Sequence, residues 1–188
     1  MPGEDDEDAL TAAWAPDPDD RLAVDAAAAR SRRHWLSQQA VESATIAGIL
    51  LARAERGDEV TVCAGGGSHR GRLRSVTRAL CVLEQPGGDI ALIPTAAVTA
   101  VAGPEAVSDD RLPAAGPDLA GVLATLAGER PAVRLLLAEG TSVVGVLLGV
   151  GKDAVSLADG STVATVRLSA IAACVLPDPG NDDYPGGP

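Results

Sequence analysis

The two halves of this 188-residue sequence repeat one pattern at a nearly constant spacing. Ala47–Leu50 (AGIL) recurs as Ala120–Leu123 (AGVL), 73 residues later. After a one-residue shift, the Gly-x-Leu-x-x-Val pattern that begins at Gly71 recurs from Gly145. Self-similarity of this kind indicates that one structural unit occurs more than once in the chain. We therefore predict an internal duplication, with two diverged copies of a single unit.

Each copy has the signals of one helix followed by short strands. The first helix has an apolar stripe that includes Trp35 and Leu51, and the second is bounded by Pro117-Asp118 and Gly128. Short runs of β-branched and aliphatic residues, separated by glycines, predict five strands in each copy. They cover residues 59–64, 70–76, 79–84, 89–93 and 97–101, and then 132–138, 143–150, 153–158, 162–166 and 170–176. The expected fold is mainly β with α (α+β), with each helix followed by a five-stranded small barrel, because closure removes sticky edges.

Composition sets the domain boundaries. Copy 1 is assigned to residues 25–101 and copy 2 to residues 118–177, with a proline-containing linker at 102–117. The net charge of −11 resides in residues 1–20 and 178–188, because the stretch between them has 15 acids and 15 bases. The ends are assigned as 1–24 and 178–188. Acidic stretches rich in Pro and Gly bury too little apolar surface to offset chain entropy, so both ends are predicted to be disordered acidic tails.

The order of elements resembles that of the Sm-like and SH3-like small barrels, over most of residues 40–101 and 117–176. That resemblance implies a barrel that binds RNA or assembles through its edge strands. Sm proteins bind RNA with an Asp and an Asn at fixed distances after the shared glycine. Thr77 and Cys81 occupy those places in copy 1, so the family's binding residues do not transfer to this chain.

A second resemblance is to uncharacterised actinobacterial proteins, some of them labelled transcriptional regulators. It is carried by Gln-Gln-Ala-Val-Glu-Ser-Ala-Thr at 38–45, Ala-Glu-Arg-Gly at 54–57, His-Arg-Gly at 69–71 and Glu-Arg-Pro at 129–131. This resemblance supports the predicted fold and implies no established activity.

The glycine-rich run Gly65–Gly71 has two interpretations. Backbone N–H groups in such a loop can bind phosphate. A nucleotide-binding loop, however, opens a helix and follows a defined glycine spacing, whereas this run lies between two predicted strands. We therefore predict a hairpin turn.

Four arginines form the main basic concentration of the chain and are our candidate nucleic-acid-binding residues. Arg70, Arg72 and Arg74 alternate along one predicted strand, which places them on one face, and Arg78 follows closely. They are interpreted either as a phosphate-contacting stripe or as an ordinary solvated strand face.

The chemistry of an enzyme is not recognisable in the sequence. His34 and His69 are the two histidines, and the Ser68-His69 pair has no sequence signature of an orienting acid or an oxyanion hole. Three cysteines without C-x-x-C spacing are expected to be buried apolar residues. We therefore predict no catalytic residues, no metal site and no cofactor.

The sequence favours a binding protein of the cytoplasm. Its N-terminus is acidic, unlike a signal peptide, and no apolar stretch is long enough to cross a bilayer. The expected function is that of a non-enzymatic intracellular adaptor or regulatory binding protein with an unknown protein partner. The alternative is an RNA- or DNA-binding protein that uses the arginine stripe. Small residues on the first helix also allow a homodimer.

Overall fold

The computed structural model describes residues 18–178 of the chain. The acidic tails predicted at 1–24 and 178–188 therefore lie mostly outside the described residues. By its internal contacts the chain divides into two units, residues 1–42 and 43–188, which are treated separately below. Among the described residues, no helix combines the length and the apolar character needed to cross a membrane.

The first unit contributes one long helix, α1 (Pro18–Ser43). It begins inside the stretch assigned to the N-terminal tail. Its large apolar side chains are exposed, and Trp35 has 60% of its surface accessible. The predicted first helix is in fact two helices, because residues 44 and 45 are not helical. The interruption has a local cause, since the Thr45 side chain accepts a hydrogen bond from the Gly48 N–H and so caps the next helix.

The second unit contains two shorter helices whose ends follow their sequence signals. Helix α2 (Ile46–Arg56) ends at Gly57, whose φ of 68° suits a left-handed C-cap. Helix α3 (Leu119–Leu126) starts after Asp118, whose side chain accepts a hydrogen bond from the Gly121 N–H at 2.8 Å. The predicted start of the second helix at Pro117-Asp118 is confirmed.

Ten antiparallel strands follow the predicted positions to within a few residues. They are β1 (Glu59–Ala64), β2 (Gly67–Val76), β3 (Leu80–Glu84), β4 (Ile90–Pro94), β5 (Val98–Ala102), β6 (Ala132–Leu137), β7 (Ser142–Val150), β8 (Ala154–Asp159), β9 (Thr162–Arg167) and β10 (Ile171–Leu176). One-turn 3-10 helices precede β5 (Thr95–Ala97) and β10 (Leu168–Ala170). The strand order is β5-β1-β2-β3-β4-β10-β6-β7-β8-β9.

The strands form one continuous open sheet, which contradicts the predicted fold. Strand β4 pairs directly with β10, with Leu92 opposite Cys174, so the strands of 25–101 and of 118–177 do not close into separate barrels. The helices differ as well, because a 26-residue and an 11-residue helix precede β1 whereas an 8-residue helix precedes β6. The predictions of two repeated helix-plus-barrel units, of Sm-like or SH3-like barrels and of an internal duplication are therefore wrong.

The physical reason lies in the two apolar clusters, which share the middle of the sheet. One cluster is covered by Leu50 of α2 and the other by Leu123 of α3. Alternate residues of β4 point to opposite faces, so Ile93 belongs to the first cluster and Leu92 to the second. Strand β10 also contributes to both clusters. Since the same central strands complete both clusters, neither half can bury its apolar residues alone.

The segment predicted as the linker, 102–117, is tied to both α2 and the β2–β3 turn. The Thr45 N–H donates to the Asp109 carbonyl oxygen at 2.9 Å. The Arg53 guanidinium donates to the carbonyl oxygen of Glu105, and Arg78 Nε donates to the carbonyl oxygen of Pro113 at 3.0 Å. We call residues 103–116 the strap.

Candidate binding cleft

The glycine-rich run forms a hairpin turn, as predicted. Gly65 and Gly66 join β1 to β2 with φ angles of 55° and 71°, and Ala64 pairs with Gly67 across the turn. Two successive positive φ values characterise the type I′ turn that suits the twist of a two-stranded hairpin, and glycine adopts them without strain. The run is therefore a turn between strands and does not open a helix.

An uncharged cleft of about 480 Å³ lies beside this turn. Its walls come from the turn, from the 3-10 helix before β5 and from the 3-10 helix before β10, with Ala97, Thr99 and Leu168 among the lining residues. Every lining residue is glycine, alanine, proline, serine, threonine, leucine or isoleucine. The cleft thus offers mainly apolar contacts together with a few hydroxyl and backbone groups.

Gly65 lets the turn approach the opposite wall closely. A Cβ atom at this position would lie 2.6 Å from the Ala172 Cβ atom and 2.7 Å from the Leu137 carbonyl oxygen. Both distances are shorter than van der Waals contact, so a side chain at this position would push the turn away from β6 and β10. The floor of the cleft consequently depends on a glycine at this position.

The arginine stripe lies on the exposed face of β2, where two carboxylates pair with two of its three guanidinium groups. Arg70 Nε donates to Glu59 Oε1 at 2.7 Å, and Arg74 forms an ion pair with Glu84. Arg72 lies opposite both glutamates in the strand register. The stripe is therefore a row of alternating charges, and its attraction for phosphate is weaker than that of three isolated guanidinium groups.

Arg78 lies apart from the other three. Its Nε contacts the strap at the Pro113 carbonyl oxygen, and its backbone N–H donates to the Ala114 carbonyl oxygen at 3.0 Å. The structure therefore brings together three of the four predicted site residues and gives the fourth a role in holding the strap.

His69 is buried within the sheet, on the opposite face of β2 from Arg70. Its Nδ1 lies 3.5 Å from Gln85 Nε2. Because an amide nitrogen only donates, we assign Nδ1 as the acceptor and the proton to Nε2, which has no hydrogen-bond partner. Burial lowers the pKa of His69, so the neutral ring is favoured.

The three cysteines are unpaired thiols. Burial raises the pKa values of Cys81 and Cys174 to about 12, which keeps both protonated and poorly nucleophilic. Within residues 18–178, no group of three or more His, Cys, Asp or Glu side chains is placed to hold a metal ion.

Known proteins give no information about the cleft. No protein-family model matches the chain, and no curated protein matches it. Sequence reasoning missed the cleft because its walls come from distant segments that meet only when β4 pairs with β10. The Gly65-Gly66 pair was the one local signal, and it indicated a turn without indicating what the turn encloses.

Proposed function

We propose that the protein is a non-enzymatic binding protein, an adaptor whose cleft receives an uncharged apolar side chain from a partner polypeptide. The observation that carries this proposal is the lining of the cleft, in which no residue is charged or titratable. Such a surface gains binding energy by burying apolar groups at roughly 25 cal/mol per Å². Its two hydroxyl groups, on Thr99 and Ser169, have no titratable side chain among the lining residues to activate them as nucleophiles.

The reactive side chains of the described residues support binding over catalysis. His69, Cys81 and Cys174 are buried in the sheet and do not line the cleft. General acid–base or nucleophilic chemistry requires such a group within hydrogen-bond reach of a bound substrate.

A cytoplasmic location forms part of the same proposal. The protein carries three unpaired thiols, which persist most readily where cellular reductants keep cysteines reduced.

Filling the cleft tests the proposal directly. Ala96 and Ser169 line it and are exposed, so Ala96→Trp and Ser169→Trp should occupy the cleft without disturbing the apolar clusters. Ala124→Trp, on the exposed side of α3, is the matched control. We expect N-acetyl-leucine methylamide to shift the NMR amide signals of Gly65 and Ala97 in the wild type and the control. The shifts should disappear in both filled variants, and N-acetyl-aspartate methylamide should cause none.

The natural partner is then sought by affinity capture from the native host, with and without nuclease. A protein that is retained by the wild type and Ala124→Trp, lost with Ala96→Trp and insensitive to nuclease would support the proposal. If the leucine probe leaves the cleft amides unchanged and capture does not respond to cleft filling, the proposal is wrong.

Binding of RNA or DNA is the alternative, favoured by the common exposed face of Arg70, Arg72 and Arg74. Their pairing with Glu59 and Glu84 weighs against it. The two functions separate cleanly, because nucleic-acid binding would depend on salt and nuclease whereas cleft binding would depend on neither.

A further inference from the structure

Strand β9 is an end strand of the sheet and keeps a regular edge. Its six residues pair with β8 without a register shift, from Asp159 opposite Thr162 to Ala154 opposite Arg167. The other end strand, β5, is interrupted by a register shift against β1. Bulges, prolines and charges are the usual devices that protect a sheet edge from pairing. Strand β9 has neither a register shift nor a proline, and its single charge is at its last residue.

The hairpin geometry shows which main-chain groups of β9 face outward. A two-residue turn, Gly160-Ser161, joins β8 to β9, so the flanking pair Asp159 and Thr162 is hydrogen-bonded. Hydrogen-bonded and non-hydrogen-bonded pairs then alternate along the strand, so every second residue from Thr162 faces β8. Leu168 continues this series, because its N–H donates to the Asp153 carbonyl oxygen at 2.8 Å. The main-chain groups of the intervening residues therefore point away from β8: Val163, Thr165 and Arg167.

The side chains of this edge are also incompletely covered. Val163 has 59% of its surface exposed. Among the described residues, the other exposed large apolar side chains lie in helices or in the strap, and none of them lies in a strand. On the other face of the strand, Val166 is buried as part of the second apolar cluster. A strand added at this edge would cover Val163 on one face and extend that cluster on the other.

We propose that β9 pairs antiparallel with β9 of a second copy of this chain, around a two-fold axis at Thr165. In this register Thr165 lies opposite Thr165 of the second copy, and Val163 lies opposite Arg167 of the second copy. Each Thr165 exchanges main-chain hydrogen bonds with its symmetry mate, and each Arg167 N–H donates to the opposite Val163 carbonyl oxygen. The pairing adds about four main-chain hydrogen bonds.

The side chains of β9 are self-complementary in this register. Threonine meets threonine, and the aliphatic part of each Arg167 side chain covers the exposed Val163 of the other copy, both favourable cross-strand arrangements. Ala164 lies opposite Val166 on the buried face, which continues the second apolar cluster across the axis. The two Arg167 side chains do not face each other, so no like charges are opposed. A two-fold contact of this type closes on itself and yields a dimer.

The oligomeric state of the full chain tests this inference. Light scattering at protein concentrations of about 10 to 100 µM detects a dimer whose dissociation constant is micromolar. We expect a dimer for the wild type. Val163→Arg places a guanidinium opposite Arg167 of the second copy, and we expect the dimer dissociation constant to rise by about tenfold or more. Combining Val163→Arg with Arg167→Glu creates two opposite-charge pairs and should restore the dimer.

Thr165→Pro provides an independent variant. The Thr165 N–H faces away from β8, so proline in both copies removes the two hydrogen bonds that these N–H groups donate in the dimer and leaves the β8–β9 ladder intact. Thermal unfolding by circular dichroism confirms that each variant is folded. Even a weak dimer forms at a protein concentration of about 100 µM, so a monomeric wild type at this concentration would overturn the inference. A dimer that is unaffected by Val163→Arg and by Thr165→Pro would overturn it too, and would point to exposed α1 instead. The inference stands on β9 alone, so its failure leaves the cleft proposal unaffected.

Discussion

The guanidinium of Arg53 lies directly over Gly103, where a Cβ atom would come within 2.5 Å of Arg53 Cζ. Arg53 is buried, and Asp58 Oδ2 holds its Nη1 at 3.0 Å while the Glu105 carbonyl oxygen accepts from Nη2. The arginine therefore joins α2 to the first residues of the strap, and it fits only because residue 103 lacks a side chain.

Gly103→Ala should destabilise the protein. The new methyl group must displace a guanidinium that is fixed by two partners, and such overpacking typically costs about 1–3 kcal/mol. Urea unfolding measures the change. Gly128→Ala is the control, because no atom lies within 4 Å of the position of its Cβ, and its effect should stay within about 0.5 kcal/mol. Equal effects of the two substitutions would contradict the tight packing of Arg53 on Gly103.

Stability should decrease as the pH falls below about 6.5, the ordinary pKa of histidine. Burial places the pKa of His69 in the folded state below that value, so the unfolded chain takes up the proton first. Protonation then favours unfolding, and the free energy of unfolding declines between neutral pH and pH 5. Urea unfolding across this range measures the decline.

The histidine dependence has a matched pair of variants. His69→Leu removes the buried titrating group. It should flatten the dependence of the free energy of unfolding on pH over the range in which histidine titrates, about pH 5 to 7. His34→Gln changes an exposed residue of α1 and should leave the profile unchanged. A wild-type profile that matches that of His69→Leu would show that His69 is not the source.

Removing the glutamates beside the arginine stripe should reveal whatever affinity for nucleic acid it has. Glu59 and Glu84 neutralise Arg70 and Arg74, so we expect no measurable binding of a labelled single-stranded oligonucleotide near physiological salt. Glu59→Gln combined with Glu84→Gln should produce binding at low salt that weakens steeply as salt is added. Fluorescence anisotropy measures both. Wild-type binding that is lost when Arg70, Arg72, Arg74 and Arg78 are replaced by alanine would instead favour the alternative function.

Cys81 and Cys174 should resist thiol reagents while the protein is folded. Both are buried, with pKa values raised to about 12. The reagent therefore cannot reach either sulfur atom, and the reactive thiolate form is scarce at neutral pH. Labelling with a maleimide followed by mass spectrometry should modify these two cysteines only under denaturing conditions. Rapid labelling of either one in the native protein would mean that the middle of the sheet opens frequently.

Sequence reasoning located most of the local structure and missed the long-range pairing. The turn at Gly65-Gly66 and the start of α3 at Asp118 have short-range causes, namely glycine conformations and a capping side chain, and both predictions are confirmed. The pairing of Leu92 with Cys174 was not predictable, because strand periodicity indicates which residues are buried without indicating which strands are neighbours. That single pairing decides between separate barrels and one sheet.

The candidate sites divide in the same way. The exposed positions of Arg70 and Arg74 followed from strand alternation, whereas their neutralisation depends on glutamates from β1 and β3, which only the register reveals. The break before Thr45 was also missed, since the apolar stripe continues through it while the cap is made by a single hydroxyl.

Strand β10 is the last in chain order but lies at the centre of the sheet. A ribosome must therefore have synthesised residues 171–176 before β4 and β6 can acquire the neighbour that lies between them. Until then, each partial sheet exposes an unsatisfied strand edge to other nascent chains. Assembly of this protein is thus governed by its most distant contacts, and we expect its folding to be slow relative to that of a domain built from local pairings.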